Sequence, residues 1–484
     1  MKVMPPESLV IVGNDVAAWL AAAVLSKTYG KGTEVILCTD REHPCAPARQ
    51  PMLPDFQILA QTLGVDVPQF AARCAATYKL ADRICAWSST NADFYHAMGD
   101  YGATFGAVEF HQALSRLREA GKDVKPLEAY SLAATSAQLG KFSAPSPDPS
   151  SILCTLKVGC NLDTQALRSW LQDLCRQSGV QLIDQVVTQV NIHSEVSTID
   201  KLTLDNGQSL SANLFVDTTR EQKLRSSLPG ERRSYESDLL ARIRYDYSLK
   251  SVEDAPISTV SALAKGWQKS VPSQNGITVS AYGASDDVLK EVGECVVEQA
   301  VPCAAVLQVQ PWMGNCIAVG PAAMQLASPC VSELDLAWLG LSRLLDHLPD
   351  AQAHAALARE YNRVVAQGYA HVRNSTRLYF QLSTRTEAFW TDSRKAALSD
   401  ELHYSLALFK HRGKWPFFEN PVLPAAWHVY LCLGLGLWPE RVDPLAMAAS
   451  VSDIEQLNLK IQKAVVTAAA NLPEHRAFWR GAND

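Results

Sequence analysis

Near its start the chain carries Gly13-Asn14-Asp15-Val16-Ala17-Ala18, between the apolar run SLVIV and a stretch of small residues. A glycine-centred turn from strand to helix is how dinucleotide sites cradle a pyrophosphate. The first glycine makes the turn, the second lets the backbone approach the phosphates, and the third, or an alanine, packs helix on strand. Gly13 and Ala18 fill the outer positions, but Asp15 replaces the middle glycine. Aspartate is a strong N-cap that bonds free amides at a helix start, and a phosphate would use those same amides. A carboxylate about 4 Å from a phosphate charge costs roughly 1 kcal/mol in water and about 4 kcal/mol at an effective dielectric near 20. Asp40, just past the run EVILC, stands where such folds place an acid on the adenosine ribose. These residues predict a dinucleotide site of reduced affinity.

Positioning them requires a βαβ unit. SLVIVG reads as a short buried strand, followed by a helix from about Asp15 to Thr28, a stop at Gly30 and Gly32, and the strand EVILC. Residues 43–55, HPCAPARQPMLPD, read as a surface loop, and FSAPSPDPSS at 142–151 as a second loop separating two pieces of the fold. A helix with Leu167, Trp170, Leu171 and Leu174 on one face follows. Then come strands QVVTQVNI, STIDKLTL and QSLSANLFVD, the last two joined by the hairpin signal Asp205-Asn206-Gly207. Further strands are expected at ARIRYDYS, ITVSAYG and CIAVG, and helices from about residue 333 to the end. This order predicts an α/β flavoprotein-monooxygenase-like fold: a Rossmann-type FAD domain with an inserted antiparallel sheet over 1–332, and a helical C-terminal region over 333–484 packing on it.

The 484 residues are 47% apolar and carry a formal charge of −6, so neither nucleic acid nor an anionic membrane is an expected partner. Twelve cysteines occur without a C-x-x-C pair and read as reduced core residues, and no spacing suggests a metal site. No signal-peptide pattern opens the chain, and runs such as WHVYLCLGLGLW are too short to span a bilayer. The expected location is cytoplasmic.

The stretch LGVDVPQFAARCAATYKLADRICAW, 63–87, resembles a segment of the flavin-dependent tryptophan halogenases, where Leu-Gly-Ile-Asp precedes a Thr-Phe-Lys-Leu-Gly run ending in Gly-Trp. Here it appears as Thr77-Tyr78-Lys79-Leu80-Ala81 and ends at Trp87. GNDVAAWLAAAVL is similar to that family's Gly-Gly-Gly-Thr-Ala-Gly-Trp-Met-Ala-Ala, with Trp19 at the tryptophan. YFQLSTRTEAFWTDSR (379–394) and PAAWHVYLCLGLGLWPERVDPLA (424–446) are similar to its C-terminal helical region. The resemblance implies FAD, as FADH2 from a separate and transiently bound flavin reductase, reacting with oxygen and chloride or bromide. The hypohalous acid so formed travels to a lysine beside a small aromatic substrate of the tryptophan, indole or phenol type. By resemblance that catalytic lysine is Lys79, and cofactor contacts fall to Gly13, Asn14, Asp15, Val16, Ala17, Ala18, Asp40, Val187, Gly320 and Pro321. A place in antibiotic biosynthesis, a carrier-bound ring and a homodimer belong to the same expectations. The chemistry suits the residue type: an ammonium polarises hypohalous acid, an amine forms a haloamine, and either holds the halogen beside one ring carbon.

Several family positions differ. The family's W-x-W-x-I-P becomes GWQKSVP, with Trp267, Lys269, Val271 and Pro272. In GPAAMQLASPCVSEL, 320–334, Cys330 falls where the family has its catalytic glutamate, and Glu333, near the halide position, reads as the first residue of a helix. A Gly-Val-Gly-Glu-Ala-Thr loop is replaced by CAPARQP, and Asp-Cys-Ser-Gly by Asp217-Thr218-Thr219-Arg220, where the arginine either meets a phosphate or fills the site. The alternative expectation is a catalytically degenerate homologue with weak or no FAD binding, acting as a partner or binding protein.

Overall fold

The computed structural model describes residues 5–41, 44–88, 93–193, 195–235, 241–249, 253–350 and 355–480. Strand Ser8–Val12 lies between Glu34–Cys38 and Leu214–Asp217, parallel to both. Covered on both faces, these strands carry continuous apolar runs rather than alternation. Cys316–Ala318 and Trp312–Met313 extend this six-stranded sheet on one side and Gln181–Ile183 on the other. The helix Val16–Tyr29 follows the first strand, capped by Asp15 at its start and by Gly30, at φ 64°, at its end. Its small residues let it lie flat on neighbouring elements. Gly320, at φ +59°, packs so close that a Cβ there would come within 2.9 Å of the Ala17 Cβ.

A seven-stranded sheet forms the second layer. It is antiparallel except where Ile257–Leu263 runs parallel to Ala81–Cys85. Because side chains alternate across a strand, its register aligns rows of residues on one face. One row holds Arg244, Tyr282 and Trp267, and the next Asp246, Ser280, Lys269, Val260 and Ile84. A third holds Ser258, Asp82 and His96.

Two sequence expectations change. Of the segment read as a surface loop, Arg49–Met52 is a strand with Gln50, Pro51 and Met52 buried against Gly159–Asp163. Its place at the edge of a three-stranded sheet accommodates Pro51, since an edge strand can spare an amide; residue 43 lies outside the described residues. QSLSANLFVD is two elements: Ser209–Leu210 closes the expected hairpin through Gly207, at φ +82°, while Leu214–Asp217 joins the parallel sheet. The 142–151 segment is a loop, and helices from Glu333–Asp346 onward dominate the rest. One apolar core runs from Leu9 through the helices to Ala469. Among the described residues no helix is long and apolar enough to cross a membrane.

Candidate active site

Lys79 ends the short strand Thr77–Lys79, and at the next residue the chain steps toward the seven-stranded sheet, the Leu80 amide donating to the Pro256 carbonyl at 2.8 Å. The lysine is only 1% exposed, and its Nζ lies 2.8 Å from the carboxylate of Asp82, itself 2% exposed. Asp82 faces His96 across the strand pair. Burial pushes the His96 imidazole down to about 4, so it is neutral; Nε2 donates to the Trp427 carbonyl at 3.0 Å. Among the described residues Nδ1 is left as a buried acceptor with no hydrogen-bond partner, and the Tyr379 hydroxyl likewise has none.

Lys269 joins this cluster from the strand Gly266–Ser273, which Ile257–Leu263 separates from Ala81–Cys85, Nζ donating to the Pro329 carbonyl at 3.0 Å. Burial, and then the charge of Lys79, pull its pKa down to about 8. Cys330 lies on the same side, its thiol pushed up to about 11 by burial and therefore uncharged at neutral pH. A carboxylate expected there would accept a proton; a neutral thiol does not. Trp267 lies one row away, stacked on Tyr282 with ring centroids 4.0 Å apart. Asp82 and His96 carry no motif of their own: Asp82 lies three residues after Lys79, and the strand register sets His96 opposite it.

On the far side of His96 a groove of about 560 Å³ opens between Tyr101, Trp415, Trp427 and Tyr430. Tyr101 stacks on Tyr430 at 4.1 Å, and the Trp427 ring lies 4.7 Å from His96. The size is that of a small-molecule site, and aromatic walls suit a flat ring.

On the other side, beyond Lys269, lies a cavity of about 50 Å³ bordered by Arg49, Arg220, Arg244, Ser328 and Glu333. Glu333, first residue of its helix as expected, is clamped by Arg220 and Arg244, each at 2.9 Å. Burial opposes its charge, but the two guanidiniums hold its pKa below the usual value. Arg220 thus meets a carboxylate of the chain itself.

Next to this network is the opening turn. The Asp15 side chain is 6% exposed and accepts from the amides of Val16 at 2.7 Å, Cys45 at 3.0 Å and Ala46 at 3.0 Å. Burial, and then Glu333, raise its pKa. Asn14 accepts from Arg168 at 2.7 Å. Asp40 accepts from the Val187 amide at 2.6 Å and is ion-paired to Lys223. Ala17 and Gly320 pack against each other, Pro321 continues the Gly320 turn, and Val16 and Ala18 are buried in the first helical turn. The sequence candidates for cofactor contact therefore flank the parallel sheet, with Lys79 beyond Lys269. In this arrangement the Val16 amide and the Asp40 carboxylate are engaged by the chain itself, and the adjoining cavity of about 50 Å³ is below the roughly 300–1,000 Å³ of ligand pockets, so FAD would have to displace these contacts to bind.

The tryptophan halogenase family model matches residues 8–451. Tryptophan 6-halogenase SttH of Streptomyces toxytricini is 22% identical, the match covering 93% of each chain. Tryptophan 7-halogenase RebH of Lentzea aerocolonigenes is 20% identical over 84% of this chain and 82% of that protein. Among solved structures, the flavin-dependent halogenase BrvH from Brevundimonas sp. BAL3 superposes with a TM-score of 0.91 at 26% identity, covering 99% of both chains. Xcc4156, a flavin-dependent halogenase from Xanthomonas campestris, gives 0.91 at 23% identity over 99% of both. Agreement that extends from the first strand to the start of the last long helix makes this chain a member of the tryptophan halogenase family, with the fold of the flavin-dependent halogenases.

Proposed function

We propose that the chain halogenates an electron-rich aromatic ring, of the indole or phenol type, held in the groove beside Tyr101, Trp427 and Tyr430. Flavin-dependent halogenases use reduced FAD from a separate reductase together with a halide. The observation that carries the reading is the buried Lys79–Asp82 pair, with Asp82 opposite His96, whose ring packs on Trp427 in the wall of the aromatic groove. Such a pair is expensive to desolvate, so its persistence in the interior needs a use.

The net change is Ar–H plus hypohalous acid to Ar–X plus water. As an ammonium, Lys79 donates to the hypohalous oxygen and makes the halogen more electrophilic; as an amine it carries the halogen as N–X, releasing the water first. Asp82 fixes the Nζ position in either case, and orientation of this kind is worth several kcal/mol. The ring proton then goes to a base, and the unpartnered Nδ1 of neutral His96 supplies one within the cluster. All twelve cysteines are free thiols, which suits the reducing cytoplasm in which a flavin reductase works.

The test supplies FAD, a reductase, oxygen and bromide with a panel of indoles and phenols, read by mass spectrometry. A product with one hydrogen exchanged for bromine, absent with Lys79→Met, is expected. No halogenated product, or a product that gains oxygen instead, overturns the reading.

A further inference from the structure

We propose that this chain holds its dinucleotide site shut with its own carboxylate: Asp15 stands in for a phosphate, and residues 44–48 are the latch it secures. Three amide donors converge on this side chain, one from the start of the opening helix and two successive ones from Cys45 and Ala46. A helix N-terminus facing consecutive backbone amides is a built anion site, and the anion present is part of the chain. The charged groups around Asp15 are Glu333, which repels it, and Arg220 and Arg168, which attract it.

The latch is held at two further points. Arg244, itself anchored by Glu333 and Asp246, donates to the Cys45 carbonyl, and Gln299 donates to the Pro44 carbonyl at 3.1 Å. The ribose end is closed independently. Both oxygens of Asp40 are engaged, one by the Val187 amide and the other by Lys223. A pyrophosphate reaches the turn only when Asp15 gives up the Cys45 and Ala46 amides, so FAD competes with a tethered ligand for them.

The test needs no turnover, so its outcome is separate from that of halogenation. Fluorescence titrations with FAD and with riboflavin, which has no phosphate, are compared for wild type, Asp15→Gly and Asp15→Asn. Hydrogen exchange follows the amides of Cys45 and Ala46. Asp15→Gly is expected to bind FAD at least about fivefold more tightly than wild type, the lower end of the repulsion removed, with little change for riboflavin and faster exchange at both amides. Equal FAD affinity, an equal gain for riboflavin, or unchanged protection overturns the proposal. Should Asp15→Gly fail to fold, Asp15→Asn decides. It keeps the side chain's size and the Val16 bond but turns a donor toward the latch, and no gain in FAD affinity is again fatal.

Discussion

Lys79 and Asp82 have 1% and 2% of their side chains exposed, so each charge depends on the other. Lys79→Met alone leaves a buried carboxylate unpaired and is expected to cost about 3–5 kcal/mol. Lys79→Met with Asp82→Asn is expected to cost less than the two single changes together, the excess being their coupling. Urea unfolding of the four proteins measures it, and additive costs would show that the pair does not act as one unit. At this scale the sequence shows Lys79 through its neighbours Thr77, Tyr78 and Leu80, and Asp15 through the glycine it displaces. Asp82, three residues after Lys79, and His96 were not assigned, because a polar residue in a strand looks like an ordinary solvent-facing position until its burial and the sheet register are known. The partners of Asp15 were equally hidden: two amides some thirty residues along the chain carry no side-chain signature.

The strand Gly266–Ser273 presents Lys269 to a buried cluster, with a pKa near 8 against 10.5 for a free lysine. Between those values the unfolded chain binds a proton that the folded chain lacks, so stability is expected to rise with pH across this window, by about 3 kcal/mol in all. Below pH 8 both states are charged, and this contribution is flat. Lys269→Met should be more stable than wild type at pH 7.5 and should lack the rise; thermal melts from pH 7.5 to 10.5 compare the two. Gly320 tests the contact between the glycine turn and the opening helix. With φ at +59° and Ala17 Cβ at 2.9 Å from any added Cβ, Gly320→Ala is expected to cost about 1–3 kcal/mol in urea unfolding. The opening strand, helix and second strand, the helix Thr164–Gln177 and the helices after Glu333 were readable from periodicity, whereas the elements between residues 56 and 141 and the strands Ile257–Leu263 and Gly266–Ser273 were not assigned. Of those misread, Pro51 made an edge strand look like a loop, and Ser211 to Asn213 did not visibly break QSLSANLFVD between two sheets.

The main apolar core includes residues from the first strand and from the last long helix. Residues 1–332 alone would lose Glu333, the anchor of Arg220 and Arg244, and expose the surface that Leu334, Leu336 and Leu341 cover. That fragment is expected to show no cooperative melt, whereas the full chain melts in a single transition by calorimetry; a folded fragment would show the region after 332 to be dispensable. The layered α/β plan was legible because its elements follow one another in an order few folds share, while the closure of the nucleotide turn was not, since it is a tertiary contact. That closure bears on supply. Under the proposed latch, a tethered carboxylate would compete at the effective concentration of a short linker, in the millimolar range, so spent flavin would be displaced quickly and none retained through purification. The protein would then leave its column colourless, and its rate in the cell would follow how fast a reductase delivers flavin rather than how much flavin it carries.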